Sequence, residues 1–335
     1  MTAMNDALKP VPEPTLSDVA ALAGVSRAIA SRALSAQPRP VSADKRERVL
    51  RAAETLGFRP NPLARGLASK TVNLVAILVN HIHDLSDLDL FDLLLAEIQA
   101  IGKQVIFIRV GDGEHAETLL RDSVAYHVDA ALVFSDFADA ATVRRMFRNN
   151  AVLMLNGHQD ACAPSVTMDE DQGIRAAVAD AAAKGVRSAL LLTGRTMSLV
   201  EQARIGYYRA ALARHGIALL GELAGDYSYA SGRALARQID VDATGAVFCT
   251  SDAMAMGVLD AHRQHFPQHR PQRFRLYGFD NISLTQFDAY PISSIGADRR
   301  DYVAQIVRIL SDPAHLVQGC GQVLVATRFV PRLTG

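Results

Sequence analysis

From residue 72 onward the chain alternates short apolar runs with amphipathic helical stretches, and few architectures accommodate that alternation. The runs at 74–79, 105–110, 130–134, 152–155, 189–193, 246–249 and 275–277 have the length of buried strands. Between most of them, at 88–101, 172–184, 201–214, 231–239 and 253–265, apolar residues recur at helical spacing. A continuously apolar strand is covered on both faces, and an intervening helix is the crossover that a parallel sheet requires. The expected body is α/β, with doubly wound parallel sheets between layers of helices. Running from residue 72 to residue 335, the pattern is long enough for two such lobes, since one core seldom serves so long a chain. Ligands in such sheets bind outside the carboxyl ends of the strands, so the residues just after each strand carry the interest.

The first 70 residues follow another rule. The chain has no net charge, with 35 basic and 35 acidic residues, yet residues 1–70 hold 3 Lys and 8 Arg against 3 Asp and 3 Glu. A basic module ahead of an acidic body is the footprint of a chain whose front meets a polyanion, and nucleic acid is the leading partner. Thr15 is placed to cap a helix over 16–23 that Gly24 stops. Ser26 caps a second helix to about Ser35, and the short turn holding Gly24 sets the two steeply across each other as in a helix-turn-helix. Ser42 opens a third helix, with Val49, Leu50, Ala53 and Leu56 as its apolar face and Phe58 closing the small core. On the second helix Arg27, Ala28, Ser31 and Arg32 share one face while Ala30 and Leu34 turn inward. Two arginines so placed suit bidentate contacts to guanine in a major groove. After Arg59 two prolines break the helix. Asn61 and Pro62 can nonetheless start a short helix through Ala68, which Gly66 weakens and which is marginal unless something packs on it.

These residues carry a specific resemblance. Thr15-Leu16-x-Asp18-Val19-Ala20-x-x-Ala23-Gly24-Val25-Ser26, Ser31-Arg32-x-Leu34, Val41-Ser42, Arg46-x-x-Val49 and Gly57-Phe58-x-Pro60-Asn61-x-x-Ala64-Arg65-x-Leu67 closely resemble the DNA-binding head and hinge of the lactose-repressor/galactose-repressor (LacI/GalR) family. The resemblance implies that residues 60–70 form a hinge helix on operator DNA. There Leu67 wedges into the minor groove beside the small Ala64, a contact that kinks DNA by unstacking a base step. The DNA-facing set is then Thr15, Ser26, Arg27, Ala28, Ser31, Arg32, Asn61, Ala64 and Leu67. Ile29 stands where the family has a phosphate-binding threonine, and Ser35 replaces an asparagine.

In the body, Arg204-x-Gly206-Tyr207, Asp226-Tyr227, Ser251-Asp252-x-Met254-Ala255-x-Gly257 and Tyr277-Gly278-Phe279-Asp280-Asn281 are similar to the family's effector-domain motifs. They imply a periplasmic-binding-protein-like body with Arg204, Tyr227, Ser251 and Asp280 around a small polar, sugar-like effector. Arg204 would offer a fork of donors, Asp280 would accept from hydroxyls and Tyr227 would supply an apolar face. A structural arginine–aspartate pair and a core tyrosine are the bland readings of the same residues. The family's Asn-Pro-Phe segment after the first strand is replaced by His81-Ile82-His83-Asp84-Leu85-Ser86.

The organisation expected is a flexible tail (1–14), a helix-turn-helix domain (15–59), a hinge helix or linker (60–70), and an effector-binding and dimerisation domain (71–335). The function expected is an effector-controlled transcription regulator, a repressor by preference, acting as a homodimer on palindromic double-stranded operator DNA. No heptad pattern follows the last strand at 323–330, which favours a dimer over a larger coiled-coil assembly. No apolar run approaches the roughly 20 residues of a membrane helix, and residues 1–14 lack a signal-peptide core, so a cytoplasmic location is expected. Cys162, Cys249 and Cys320 lie outside any paired motif and read as core thiols. His81-x-His83 and His262-x-x-His265 lack a clear third ligand and read as surface histidines, so neither a metal nor a cofactor is expected. No phosphate loop, GxGxxG or GxSxG occurs, which argues against an enzyme. The competing reading is a solute-binding or enzymatic α/β protein with a fused helical head.

Overall fold

The computed structural model describes residues 14–35, 40–59, 72–82, 84–111, 127–134, 138–155, 163–265, 273–318 and 321–335. The chain divides into two compact units, Met1–Val72 and Asn73–Gly335.

In the first unit three helices, α1 (Leu16–Leu22), α2 (Arg27–Ala33) and α3 (Ala43–Leu56), enclose a core of small side chains. The start of α1 is fixed by a reciprocal cap: the Asp18 amide donates to the Thr15 hydroxyl while the Thr15 amide donates to the Asp18 carboxylate at 2.7 Å. Gly24 takes a left-handed φ of +62°, which lets the chain turn sharply into α2, where the Ser26 hydroxyl accepts from the Ile29 amide. Val19, Ala20, Ala23, Ala30, Ala33, Val49, Ala52 and Ala53 are buried, and Leu34 and Phe58 pack on them from the edge. One expectation fails. Leu50 is half exposed and Ala52 takes its place inside, because Val49, Ala52, Ala53 and Leu56 fall on one stripe of α3 and Leu50 lies beside it. The expected hinge residues, Asn61, Ala64 and Leu67 among them, and the tail residues 1–13 lie outside the described residues.

The second unit holds eleven strands in the order β2-β1-β3-β4-β5-β11-β10-β9-β8-β6-β7. Lobe 1 comprises β1 (Leu74–Val79), β2 (Gln104–Arg109), β3 (Ala130–Val133), β4 (Val152–Met154) and β5 (Ser165–Asp169), all parallel. Lobe 2 comprises β6 (Ser188–Thr193), β7 (Ala218–Ala224), β8 (Ala246–Cys249), β9 (Arg275–Phe279) and β10 (Ser293–Ala297), also parallel. The two sheets expected from the pattern are joined, which the alternation did not reveal. The nine-residue β11 (Gln322–Val330) runs parallel to β5 over its first half and antiparallel to β10 over its second.

Helices cover both faces. α4 (Leu85–Ala100) and α10 (Arg299–Leu310) pack on one face of lobe 1 through Phe91, Leu94, Ile98, Tyr302 and Ile306, and α5 (Ala140–Phe147) covers the other. α6 (Glu170–Ala183) and α7 (Leu199–Arg214) cover one face of lobe 2, with α8 (Tyr229–Leu235) and α9 (Asp252–His265) on the other. Lobe 1 strand β5 thus leads into a lobe 2 helix, and lobe 2 strand β10 into a lobe 1 helix. With β11 these crossings give the lobes three covalent connections. They are tightly packed: a Cβ on Gly173 of α6 would come within 2.5 Å of Ile295 and Thr327, on β10 and β11. Chain order reverses between β1 and β3 in lobe 1 and between β6 and β8 in lobe 2, which places a crevice at the carboxyl ends of those strands.

Candidate functional site

Two regions follow from these folds. On the first unit, Thr15, Ser26, Arg27, Ala28, Ser31 and Arg32 are all exposed, and all but Thr15 belong to α2 or its cap. The buried Ala30 and Ala33 fix the rotation of that helix. The carbonyl of Ala33 accepts from Arg46 of α3 at 2.9 Å, which ties down its carboxyl end. The Thr15 side chain is occupied by its cap.

In the second unit the residues just after β1, β6, β7, β8 and β9 converge on a cavity of about 170 Å³, and Arg204, Tyr227, Ser251 and Asp280 all line it. Asp84, Leu85 and Ser86 face them from lobe 1. A neighbouring cavity of about 250 Å³ shares Asp84, Ser198 and Tyr227 and continues toward His81, Phe134 and Arg195.

The four side chains are employed in different ways. Arg204 is held by the protein itself: Nε and Nη2 donate to the two oxygens of Glu170 at 2.9 and 2.6 Å, and Nη1 donates to the Thr250 carbonyl and to Glu201. Its guanidinium lies 3.9 Å from the centre of the Phe279 ring. Burial disfavours this charge, but Glu170, and after it Glu201, outweigh that effect and raise its pKa well above the usual value. Its partner is therefore not the aspartate that the sequence suggests. Glu201 belongs to none of the sequence motifs. Fully buried, it accepts from the Gly194 amide at 2.6 Å, the Thr250 hydroxyl at 2.7 Å and the Tyr227 hydroxyl at 3.0 Å. The one signal for it is the Glu201-x-x-Arg204 spacing, which puts both on one face of α7. Ser251 caps α9: its hydroxyl accepts from the Met254 amide and donates to the Tyr227 carbonyl at 2.8 Å.

Tyr227 and Asp280 have φ of +72° and +96°, backbone conformations that side chains rarely adopt. Strain of this kind gathers at sites where a side chain must be aimed. The Tyr227 ring lies on Gly194, where a Cβ would come within 1.8 Å of it, and Arg195 stacks over the ring at 5.2 Å. Asp280 has no partner for its carboxyl among the described residues. Burial pushes its pKa up to about 6, despite the nearby Arg204 and Arg299 that pull it down. The adjoining Asp252 is fully buried, with its carboxyl receiving Ser294 and the Ile282 amide, and burial raises its pKa as well.

The lobes also touch across this crevice. Arg195 of lobe 2 pairs with Asp84 at 3.3 Å, and Asp89 of α4 accepts from the Ser283 amide and hydroxyl at 2.7 and 2.9 Å. Arg299, at the start of α10, donates to the carbonyls of Asp280 and Asn281 and pairs with Asp89 at 3.6 Å.

The histidines need two corrections. His81 does have carboxylates nearby, since its ring nitrogen and oxygens of Asp84 and Asp87 lie within 4.8 Å of one another. Those aspartates form the capping box of α4, a helix end that disfavours a cation, and Arg195 already pairs with Asp84. His83 lies outside the described residues. His262 is buried rather than on the surface: it meets Phe274 edge-on and lines a separate, chiefly apolar cavity with Ile239 and Val258. Cys249 is a buried free thiol, while Cys162 and Cys320 lie outside the described residues.

Residues 15–61 match the family described as bacterial regulatory proteins, lacI family, and residues 178–334 match the periplasmic binding protein-like domain. The catabolite control protein A of Priestia megaterium is 28% identical over 312 residues, spanning 89% of this chain and 91% of its own. The transcriptional repressor CytR of Escherichia coli K12 is 28% identical over 310 residues, 89% of each chain. The crystal structure of the lac repressor dimer bound to operator and the anti-inducer ONPF superposes with a TM-score of 0.83 at 25% identity, covering 97% of this chain and 99% of that one. These relatives are transcription regulators. Among the described residues no helix is long and apolar enough to cross a membrane.

Proposed function

We propose, since this chain belongs to the LacI family of bacterial regulatory proteins, that it is a sequence-specific transcriptional repressor whose hold on operator DNA is set by a small polar effector. The observation that carries the reading is the cavity at the carboxyl ends of five strands. Arg204, Tyr227, Ser251 and Asp280 meet there, in a chain whose front bears an exposed arginine face on a helix-turn-helix. In this reading residues 15–59 recognise DNA, residues 60–70 are the hinge and residues 71–335 bind effector and dimerise. Arg27 and Arg32 read base edges, supported by Ser26, Ala28 and Ser31 and by Thr15 at the start of α1, while Asn61, Ala64 and Leu67 act at the hinge. The related lac repressor was captured as a dimer on operator, and a homodimer on a palindromic site is the corresponding state for this chain. The work is done on the cell's own DNA in the cytoplasm, and no catalysis is part of it.

In the crevice, Asp280 accepts hydrogen bonds from effector hydroxyls and Tyr227 offers its ring. Arg204 acts chiefly as the fixed scaffold against which Phe279 and Tyr227 are set. Bound effector favours one arrangement of the two lobes, and that arrangement governs operator affinity.

A thermal-shift screen of sugars, polyols and nucleosides finds the effector, because a ligand that binds only the folded state raises its stability. Gel retardation on DNA selected by the chain from a random pool then reads the function. A palindromic consensus whose retention changes with that effector is expected. Failure to select any sequence above non-specific binding would overturn the reading.

A further inference from the structure

Glu170 and Glu201 surround the arginine of the crevice with more negative charge than it can neutralise. Arg204 is 8% exposed, Glu170 5% and Glu201 0%, and four hydrogen bonds of the guanidinium go to these carboxylates and to the Thr250 carbonyl. Nearer the opening, Asp84 is matched by Arg195. Asp280 faces the cavity with no hydrogen-bond partner among the described residues. The cavity and the layer beneath it therefore carry two negative charges in excess when Asp280 is ionised. Such a wall accepts hydrogen bonds and repels anions, and a low-dielectric surround strengthens both effects.

We propose that Glu170 and Glu201 are specificity-determining residues that withhold Arg204 from the effector. The crevice then takes a hydroxyl- or amine-bearing effector and rejects carboxylate and phosphate groups. This rests on the reading of the cavity as the effector site. A guanidinium left free in a crevice is a ready receptor for either anion, through its planar fork of donors. Here Glu170 occupies that fork in the bidentate geometry a ligand carboxylate would use. Glu201 adds a second negative charge, fixed by four hydrogen bonds from Gly194, Thr250, Tyr227 and Arg204. An anionic effector would have to displace a buried carboxylate and enter beside Asp280. A hydroxyl or ammonium group meets an unpartnered acceptor.

The test uses the full chain without DNA. Wild-type protein and the Glu170→Gln variant are titrated calorimetrically with inorganic phosphate, D-glucuronate and D-glucose 6-phosphate. The wild type is expected to give no saturable binding with any of the three. Glu170→Gln keeps the shape and removes the charge, so it is expected to bind phosphate or glucuronate saturably where the wild type does not. A further Arg204→Gln change should abolish that binding. A melting curve reports whether each variant is folded, and where Glu170→Gln is not, Glu201→Gln is read the same way. Saturable binding of any of these anions by the wild type overturns the inference, as does a folded variant that still ignores all three. Loss of operator binding would not alter this result. An anionic effector that releases operator DNA would refute the specificity while leaving the regulator in place.

Discussion

Asp280 is held where an ionised carboxyl is costly. Its pKa of about 6 in the folded chain compares with about 3.9 for an unhindered aspartate, so between those values the folded state binds the proton more tightly than the unfolded one. Stability from this group is fully present below about pH 4 and is lost as pH rises through about 6. Asp280→Asn should therefore stabilise the effector-free protein at pH 7 by up to about 3 kcal/mol, with little difference from wild type at pH 4, as read by denaturant unfolding at the two pH values. Asparagine also tolerates the left-handed backbone there. The same substitution should weaken effector binding, because the acceptor facing the ligand becomes a neutral amide. Arg204→Ala has the opposite character. It leaves two buried carboxylates without their cation and should cost about 3–5 kcal/mol, and a Glu170→Gln background should recover part of that loss. A cost under 1 kcal/mol would mean that the ion network is not a scaffold.

Among the elements, α2 and α4 carry the sharpest expectations. Arg27→Ala or Arg32→Ala should cost about 1–3 kcal/mol on the preferred operator and relax selection at one base pair per half-site, measured on a panel of single-base operator variants. Equal loss on every sequence would make the arginine a phosphate contact. On α4, Asp89→Ala removes the acceptor for Ser283 and Arg299 across the crevice, and amide exchange at Ser283 should speed up while the α4 core stays protected. Several elements were legible in advance because their residues announce themselves. The unbroken apolar run marks β1 at its observed limits, and Thr15 as a cap residue marks the start of α1. β10, whose Ser293 and Ser294 are buried, carries no such signal, because their hydroxyls bond to the Arg332 carbonyl and to Asp252 and burial there leaves no hydrophobic signature. β7 has no unbroken apolar run, because its side chains alternate between exposed and half-buried at the sheet edge. The crevice was half legible. Its strand-end residues stood in motifs, whereas Glu170 and Glu201 look like ordinary first-turn acids of helices until the fold brings them to Arg204.

At the scale of the molecule, the three-helix unit proposed to read DNA shares one chain with a two-lobed unit whose crevice has charged contacts from both sides. The triple covalent connection restricts the lobes to a small set of relative arrangements, and Arg299 and Asp89 link the Asp280 turn to lobe 1. An effector that binds one arrangement better shifts the population toward it, and only by its differential affinity. Linkage makes the effect mutual: operator must change effector affinity by the factor by which effector changes operator affinity, typically about 5–150-fold. The most direct test is calorimetric titration of the effector found by thermal shift into the full-length protein, alone and saturated with operator. The account predicts effector affinities that differ between the two titrations by the factor seen for DNA in retardation assays. Equal affinities, alone and on operator, would contradict it, because the crevice would then bind a ligand without controlling the head.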